Sequence, residues 1–262
     1  MARRAQRLSP AGDFDYEAAG ADYARLRRTD PRLAAIVHAA LGDARTVLNV
    51  GAGSGSYEPE DRYVVAVEPS AAMRAQRPPD RPAVDAVAEA LPFDAHSFDA
   101  AMAMITVHQW PDLERGLAEL RRVTRGPVVV LTFDPDALLD FWLAEYVPEL
   151  LEAERPRMPA IARIAAGLGG TVDVLAPPIP QDCVDGFIEA YYARPEAFLD
   201  PAVRAAQSAW AHTGVDPAPG LQRLADDLAS GAWDARFGRV SARTTYVGSL
   251  RLVVGKRTPQ TG

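Results

Sequence analysis

Apolar residues in this chain gather into short runs separated by polar or helical stretches, and the runs predict the architecture before any motif is considered. Residues 46–50, 63–67, 99–107 and 127–133 are nearly continuous apolar runs, with a weaker one near 83–87. Runs of that length without strict alternation read as strands of a parallel sheet covered on both faces. Helical patterns lie between them. Asp30-Pro31 offers an N-cap with proline in the first turn, and Leu33, Ile36, Val37, Ala40 and Leu41 recur at helical spacing until Gly42. Leu113, Leu117, Leu120 and Val123 do the same between Pro111 and Thr124, with charges between them, so that helix should cover one sheet face. The connection from Gly51 to Arg62 is near the minimum for a helical crossover and contains Pro59, which leaves room only for a short helix. Another helix, opening at Ser70, should stop at Pro78-Pro79.

After Phe133 the pattern changes. Residues 136–168 read as two helices broken near Pro156, and 171–175 as a strand running into Pro177-Pro178-Ile179-Pro180. Two or three helical segments cover roughly 183–231, and Tyr246 to Val254 closes the chain as a strand. This order predicts an α/β fold: a Rossmann-like, doubly wound, mostly parallel seven-stranded sheet with a helical cap inserted before the last strand. The cap would lie over the carboxyl ends of the strands, where ligands bind in open α/β sheets. Three stretches follow: a loose tail over 1–14, a nucleoside-binding core over 15–135, and residues 136–262, which complete the sheet and carry the substrate-binding cap at about 183–231.

Composition narrows the class of partner. At 262 residues, 48% hydrophobic and 24% charged, the chain suits one large soluble domain with an insertion. No apolar run is long enough to cross a bilayer, and Met1-Ala2-Arg3-Arg4 has no apolar stretch behind it, so a cytoplasmic location without a signal peptide is expected. A single cysteine, Cys183, excludes an internal disulfide framework and a multi-cysteine zinc cluster; no other spacing points to a metal site. A net charge of −7 and scattered arginines argue against a nucleic-acid surface. The expected partner is therefore a small-molecule substrate, with neither nucleic acid nor membrane; oligomeric state stays open. Lys256 is the one lysine among 28 basic residues, a bias expected of a GC-rich bacterial genome.

The segment Thr46-Val47-Leu48-Asn49-Val50-Gly51-Ala52-Gly53-Ser54-Gly55, followed by a second strand ending in Glu68, carries the chemistry. Glycines let a turn approach a ligand without β-carbons in the way and adopt dihedrals other residues avoid. A carboxylate at the end of the next strand can accept both hydroxyls of a ribose, and the separation is close to the ~20 residues that role requires. A nucleoside-type cofactor follows. A dinucleotide fingerprint would place a third glycine where Ser56 stands, yet a nicotinamide-dependent oxidoreductase shares strand, glycine loop and acidic stop, and remains an alternative.

The chain resembles the class I S-adenosylmethionine (SAM) dependent methyltransferases. The likeness rests on Val47 to Gly55, Val67-Glu68-Pro69-Ser70 with Met73, Ala88-Glu89-Ala90-Leu91-Pro92-Phe93, Ser97-Phe98-Asp99 and Leu117 to Val123, in that order. It looks like the small-molecule branch that includes the ubiquinone and menaquinone C-methyltransferases, and it covers about residues 15–135. The resemblance implies S-adenosyl-L-methionine as cofactor and methyl transfer to an O, N or C nucleophile of a small organic metabolite. It also implies that Gly51, Ala52 and Gly53 hold the amino acid end, with Asn49 at the head of the loop, and that Glu68 holds the ribose. Pro69, Met73, Ala88 and Glu89 would border the adenine, Ile105 would pass beneath the sulfonium, and Tyr23 and Arg27 match an N-terminal element that closes over the cofactor. Two positions depart from the family: aspartate is usual where Asn49 stands, and also where Val87 stands, which leaves the adenine amino group to Asp85 or Glu89. Those departures motivate a further alternative, a SAM-binding protein of this fold with non-methyl chemistry or a binding role.

For catalysis, His108 in Thr106-Val107-His108-Gln109-Trp110 is the candidate base, since a neutral imidazole is available near pH 7. A histidine there also serves simply to hydrogen-bond the loop. Trp110, before Pro111, is expected to anchor that loop by burial. Phe141, Trp142, Tyr146, Tyr191, Tyr192 and Trp210 should form the cap's core, with one or two lining a substrate site. Asp182 is read as a helix cap, Cys183 as a buried small side chain, and Asp134, ending the fifth strand, as a possible substrate contact.

Overall fold

The computed structural model describes residues 27–212, 214 and 216–257; the tail over 1–14 and Tyr23 lie outside the described residues. The strands are β1 (Thr46–Val50), β2 (Tyr63–Val67), β3 (Ala83–Val84), β4 (Ala100–Met104), β5 (Val128–Phe133), β6 (Thr171–Leu175), β7 (Ile179–Pro180), β8 (Thr245–Tyr246) and β9 (Leu250–Lys256). Seven of them form one sheet in the order β3-β2-β1-β4-β5-β9-β6, and β7 pairs with β8 in a separate ribbon. β1 runs parallel to β2 and β4, β2 to β3, and β4 to β5, while β9 is antiparallel to both β5 and β6. This is the Rossmann-like, mostly parallel seven-stranded sheet that the apolar runs predict.

Each central strand feeds two cores, as a pleat with side chains alternating across it must. Val47, Ala100, Met102, Val129 and Leu131 pack into one core, which continues into the cap; Leu48, Val50, Ala101, Ala103, Val128 and Val130 pack into the other. The helix Leu113–Val123 closes the second core with Leu113, Gly116, Leu117, Leu120 and Val123, and Asp112 caps it by accepting the Arg115 N–H. The helix Pro31–Ala40 is capped by Asp30 and buries Leu33, Ala34 and Val37 against the first.

Several expectations are corrected. Gly51 to Arg62 contains no helix, because Gly53 (φ 52°), Gly55 (φ 106°) and Tyr57 (φ 64°) are left-handed, and a right-handed helix cannot propagate through such residues. β3 spans two residues rather than five; Ala86, Val87 and Ala88 bend instead into the wall of a cleft. The helix after Ser70 spans only Ala71–Ala75. The two helices expected within 136–168 are present, as Pro148–Glu154 and Ile161–Leu168 broken at the 3-10 turn Arg155–Arg157, but 3-10 turns at Leu138–Asp140 and Trp142–Glu145 precede them. The first of these stretches packs with the later helices, so the cap is built from both sides of β6. Its helical part also runs past residue 231: Gly231 (φ 79°) ends the helix Ala218–Ser230 and starts another, Ala232–Ser241. Tyr246 belongs to the small ribbon, and β9 begins only at Leu250. No helix among the described residues is long and apolar enough to cross a membrane.

Candidate functional site

The carboxyl ends of β1, β2 and β4 open onto a cleft of about 910 Å³. Its floor is the glycine loop. The N–H groups of Gly51 and Ala52 both donate to the Val67 carbonyl, at 2.9 and 3.0 Å, which fastens the loop to the end of β2. Gly51 is left-handed (φ 68°), and a β-carbon there would lie 2.1 Å from Thr106 Oγ1, so no other residue fits. Gly53 N–H donates to Glu68 Oε2 at 2.8 Å, and Ser70 N–H to Glu68 Oε1 at 2.8 Å. A carboxylate offers about four lone-pair sites. Two are taken by these N–H groups, and two are left for donors on a ligand. Burial raises the Glu68 carboxyl above its ordinary range, against the opposing pull of the Ser70 and Gly53 hydrogen bonds.

Beneath the loop lies a buried charge pair that the sequence did not reveal. Arg77 Nη2 donates to both oxygens of Glu58 at 2.9 Å, and the two side chains are 2% and 3% exposed. Arg77 Nη1 reaches the Gly53 carbonyl at 3.2 Å, and Asn49 Nδ2 donates to Glu58 Oε1 at 3.0 Å. Asn49 Oδ1, in the cleft wall, has no partner among the described residues. A buried acceptor left in that state is costly unless a ligand donor meets it.

The other walls gather the predicted positions. Arg27, Pro69, Met73, Ala88, Glu89 and Ile105 all line the cleft. Of the two carboxylates weighed for the adenine side, Glu89 lines the cleft and accepts the Asp112 N–H at 3.1 Å; Asp85 is exposed, outside the lining, and bonds Arg74 at 2.8 Å. Val87 lines the wall with its apolar side chain. Ile105 is left-handed (φ 52°) at the end of β4, a strained state for a β-branched residue. Trp110 anchors its loop: a β-carbon on Gly116 would fall 2.5 Å from its ring, and it lines the cleft as well.

A second cavity, of about 570 Å³, adjoins the first and shares Ile105 and Arg27 with it. His108 lines this cavity and not the cleft, with Nε2 3.4 Å from Gln109 Nε2. Phe133, Leu138, Phe141, Leu151, Met158 and Phe187 give it apolar walls. Among these walls sit two buried carboxylates, Glu154 and Glu189. Glu154 is ion-paired with Arg157. Gln207 lines it too; its Oε1 accepts from Trp210 Nε1 at 2.9 Å, and its Nε2 has no partner among the described residues.

Of the six aromatic residues singled out in the cap, only Phe141 lines either cavity. Trp142 is the centre of the cap's core, with ring centroids 5.1 Å from Phe141, 5.3 Å from Trp233 and 5.7 Å from Phe198. Asp182 caps no helix; it is exposed and bonds Arg32 at 2.6 Å, because Val184 N–H turns back to Asp30 instead of opening a helix. Cys183 is buried, and burial pushes its thiol up to about 12. Asp134 bonds Arg251 at 3.1 Å and lines neither cavity. No group of three or more His, Cys, Asp or Glu among the described residues could hold a metal.

Asp185 ties these parts together. Buried in the cap at 2% exposure, it accepts from Arg27 Nε and from Tyr57 OH, both at 2.7 Å, and Tyr57 N–H is held in turn by Thr29 Oγ1 at 2.8 Å. Burial, then the Asp185 charge, holds the Tyr57 phenol well above its usual range. Glu58, Arg77, Asp185, Glu189 and Gln207 were not visible in the sequence. They sit in irregular segments or short turns; Glu58, Arg77, Asp185 and Glu189 act through partners distant in the chain, and Gln207 meets Trp210 three residues on.

Residues 48–130 match the family model described as "Methyltransferase domain". Among solved structures, a protein described as a methyltransferase from an antibiotic biosynthesis pathway of Anabaena variabilis ATCC 29413 is 27% identical. The alignment covers 89% of this chain and all of that one, with a TM-score of 0.81. Two others share the fold alone. Geranyl diphosphate C-methyltransferase from Streptomyces coelicolor A3(2) is 15% identical over 87% of this chain and 79% of its own, TM-score 0.52. The [4+2]-cyclase SpnF is 14% identical over 86% and 80%, TM-score 0.51. No curated protein matches the chain.

Proposed function

We propose that this chain, a SAM-dependent methyltransferase by its domain and its fold, transfers the methyl group of S-adenosyl-L-methionine to an O, N or C nucleophile of a small organic metabolite in a bacterial cytoplasm. The observation that carries the reading is the junction at Ile105 and Arg27, where a polar, glycine-floored cleft meets an apolar cavity under the cap. One side suits a nucleoside with a charged tail, the other an organic acceptor, and the two reactants meet where the cavities join.

The residues of the cleft fit the cofactor. The loop Gly51, Ala52 and Gly53 presents backbone to the amino acid end, and the unpartnered Asn49 Oδ1 offers its ammonium an acceptor. Glu68 keeps two lone-pair sites for the ribose hydroxyls. Pro69, Met73, Ala88 and Glu89 take the adenine, and Arg27 closes the near side. When bound, the cofactor supplies an electrophilic methyl on a sulfonium. The protein aligns the acceptor with it and keeps water out, a contribution of several kcal/mol by orientation alone. A base, where the acceptor needs one, comes from the wall of the acceptor cavity, which holds His108 as well as Glu154 and Glu189.

Calorimetric titration with SAM tests the cofactor half. Wild-type protein should bind it, and Glu68→Ala should bind about 100-fold more weakly, since two hydrogen bonds to a charged group are lost; equal affinity would sink the assignment of Glu68. The fold also carries a [4+2]-cyclase, and Val87 removes a family acceptor, so a SAM-binding protein with non-methyl chemistry is the second reading. Incubation of tritiated-methyl SAM with a metabolite extract separates the two: a labelled product supports transfer, and binding without label supports the second. The nicotinamide reading gains nothing from the matched domain.

A further inference from the structure

On the methyl-transfer reading, on which it rests, we propose that the cavity under the cap receives an apolar molecule bearing a phenol- or enol-type hydroxyl, and that the Glu189 carboxylate takes the hydroxyl proton as the methyl arrives. Glu189 lies in the cap's 3-10 turn Ile188–Tyr191 and is 2% exposed. Both of its oxygens accept the Ser249 N–H, at 2.9 and 3.0 Å. Ser249 precedes β9 and its carbonyl accepts the Asp134 N–H at 2.7 Å, so the carboxylate is fixed over the carboxyl end of β5, one strand from Ile105. Ile105 is where the two cavities join.

The surroundings suit a base. Among the described residues no cation is in ion-pair contact with Glu189. Burial pushes its carboxyl up to about 7, with the Ser249 hydrogen bonds and the Arg251 charge pulling the other way. Arg251 itself is paired with Asp134. The other titratable groups around Glu189 are Tyr246 from the small ribbon and, across the cavity, His108, Arg27 and Glu154, the last engaged with Arg157. A proton acceptor is most effective when it titrates near the working pH.

The chemistry selects the acceptor class. A hydroxyl oxygen attacks the methyl carbon, the O–CH3 bond forms, the S–CH3 bond breaks with its electron pair on sulfur, and the hydroxyl proton passes to Glu189. A sulfonium cation and a carboxylate anion thereby become a neutral thioether and a neutral carboxylic acid. Charge vanishes inside a low-dielectric cavity, which favours the product side. An alkylamine held by the same carboxylate would be bound as its ammonium, with no lone pair for attack. The apolar walls ask for an aromatic or polyketide-like body. The unpartnered Gln207 Nε2 asks for a second oxygen on it.

The test uses two probes, 2-naphthol and 2-(aminomethyl)naphthalene, with tritiated-methyl SAM. Wild-type protein should label 2-naphthol in preference to the amine, with kcat/KM falling on the acid side of about pH 7. Glu189→Gln, which keeps an oxygen for Ser249, should lower kcat at pH 7 about 100-fold with unchanged SAM affinity by calorimetry. It should also abolish the acid limb and recover rate as the pH is raised toward ionisation of the naphthol itself. His108→Gln should keep the limb. A limb that survives Glu189→Gln or disappears with His108→Gln overturns the proposal. So does a preference for the amine, or SAM binding by wild type with no probe labelled. The wild-type pH profile stands even where a variant fails to fold. Absence of SAM binding by wild type removes the methyl-transfer reading and this proposal with it.

Discussion

Asn49 is better understood through Glu58 than as an aspartate that lost its charge. Its amide donates to Glu58 Oε1 at 3.0 Å, while Arg77 holds both oxygens of the same carboxylate. The negative charge sits one layer deeper, and an aspartate at 49 would set two buried carboxylates about 3 Å apart with a single guanidinium, already bound to Glu58, to offset them, a repulsive arrangement. Asn49→Asp is therefore expected to destabilise the fold by about 2 kcal/mol, read from urea denaturation. Adding Glu58→Gln should return most of that loss, because the glutamine can donate to the new carboxylate. If Asn49→Asp is neutral, or if the double variant is worse than the single, the two positions do not share one charge.

At the scale of elements, the glycine loop shows what a sequence pattern carries and where it stops. A glycine of the loop and one outside it can be compared through the room around them. Gly51 is left-handed and faces Thr106 Oγ1 at 2.1 Å from any added β-carbon, whereas Gly42 is left-handed (φ 60°) with nothing within 4 Å. Gly42→Ala should cost about 1 kcal/mol, from the backbone alone. Gly51→Ala should cost on the order of 3 kcal/mol and weaken SAM binding, because Thr106, in the turn after β4, must also move. Equal losses in denaturation midpoints would show that the loop does not need that close approach. The strands and their order, the loop, Glu68 and the helix Leu113–Val123 were legible because each repeats a local rule: apolar runs, glycine dihedrals, helical spacing. The missing crossover helix was not, since four left-handed residues in Gly51 to Arg62 override proximity and length. The helix Ala232–Ser241 was missed because Gly231 reads equally as a stop or as a joint between two helices. Glu189 was illegible for another reason. Its partner Ser249 is distant in the chain, and nothing near Ile188–Tyr191 marks a carboxylate that will be buried.

For the whole molecule, the decisive contact is the one that joins its three parts. Asp185 belongs to the cap, Tyr57 to the loop beside the cleft, and Arg27 to the first described residue of the chain, which also pairs with Asp185 as an antiparallel backbone bridge. Arg27 lines both cavities, so the cap's position over the acceptor and the closure of the cofactor cleft depend on one buried carboxylate. Removing a buried charge that serves two donors costs on the order of 3 kcal/mol. The informative outcome for Asp185→Ala is where the structure loosens. Hydrogen exchange should rise together in residues 183–187 of the cap and in the loop around 53–57, with SAM affinity and acceptor KM both worsening. Asp185→Asn keeps an oxygen for Tyr57 or Arg27 and should loosen both regions less. Faster exchange confined to the cap, with SAM affinity unchanged, would mean that the two cavities are closed independently and that the carboxylate only seats the cap.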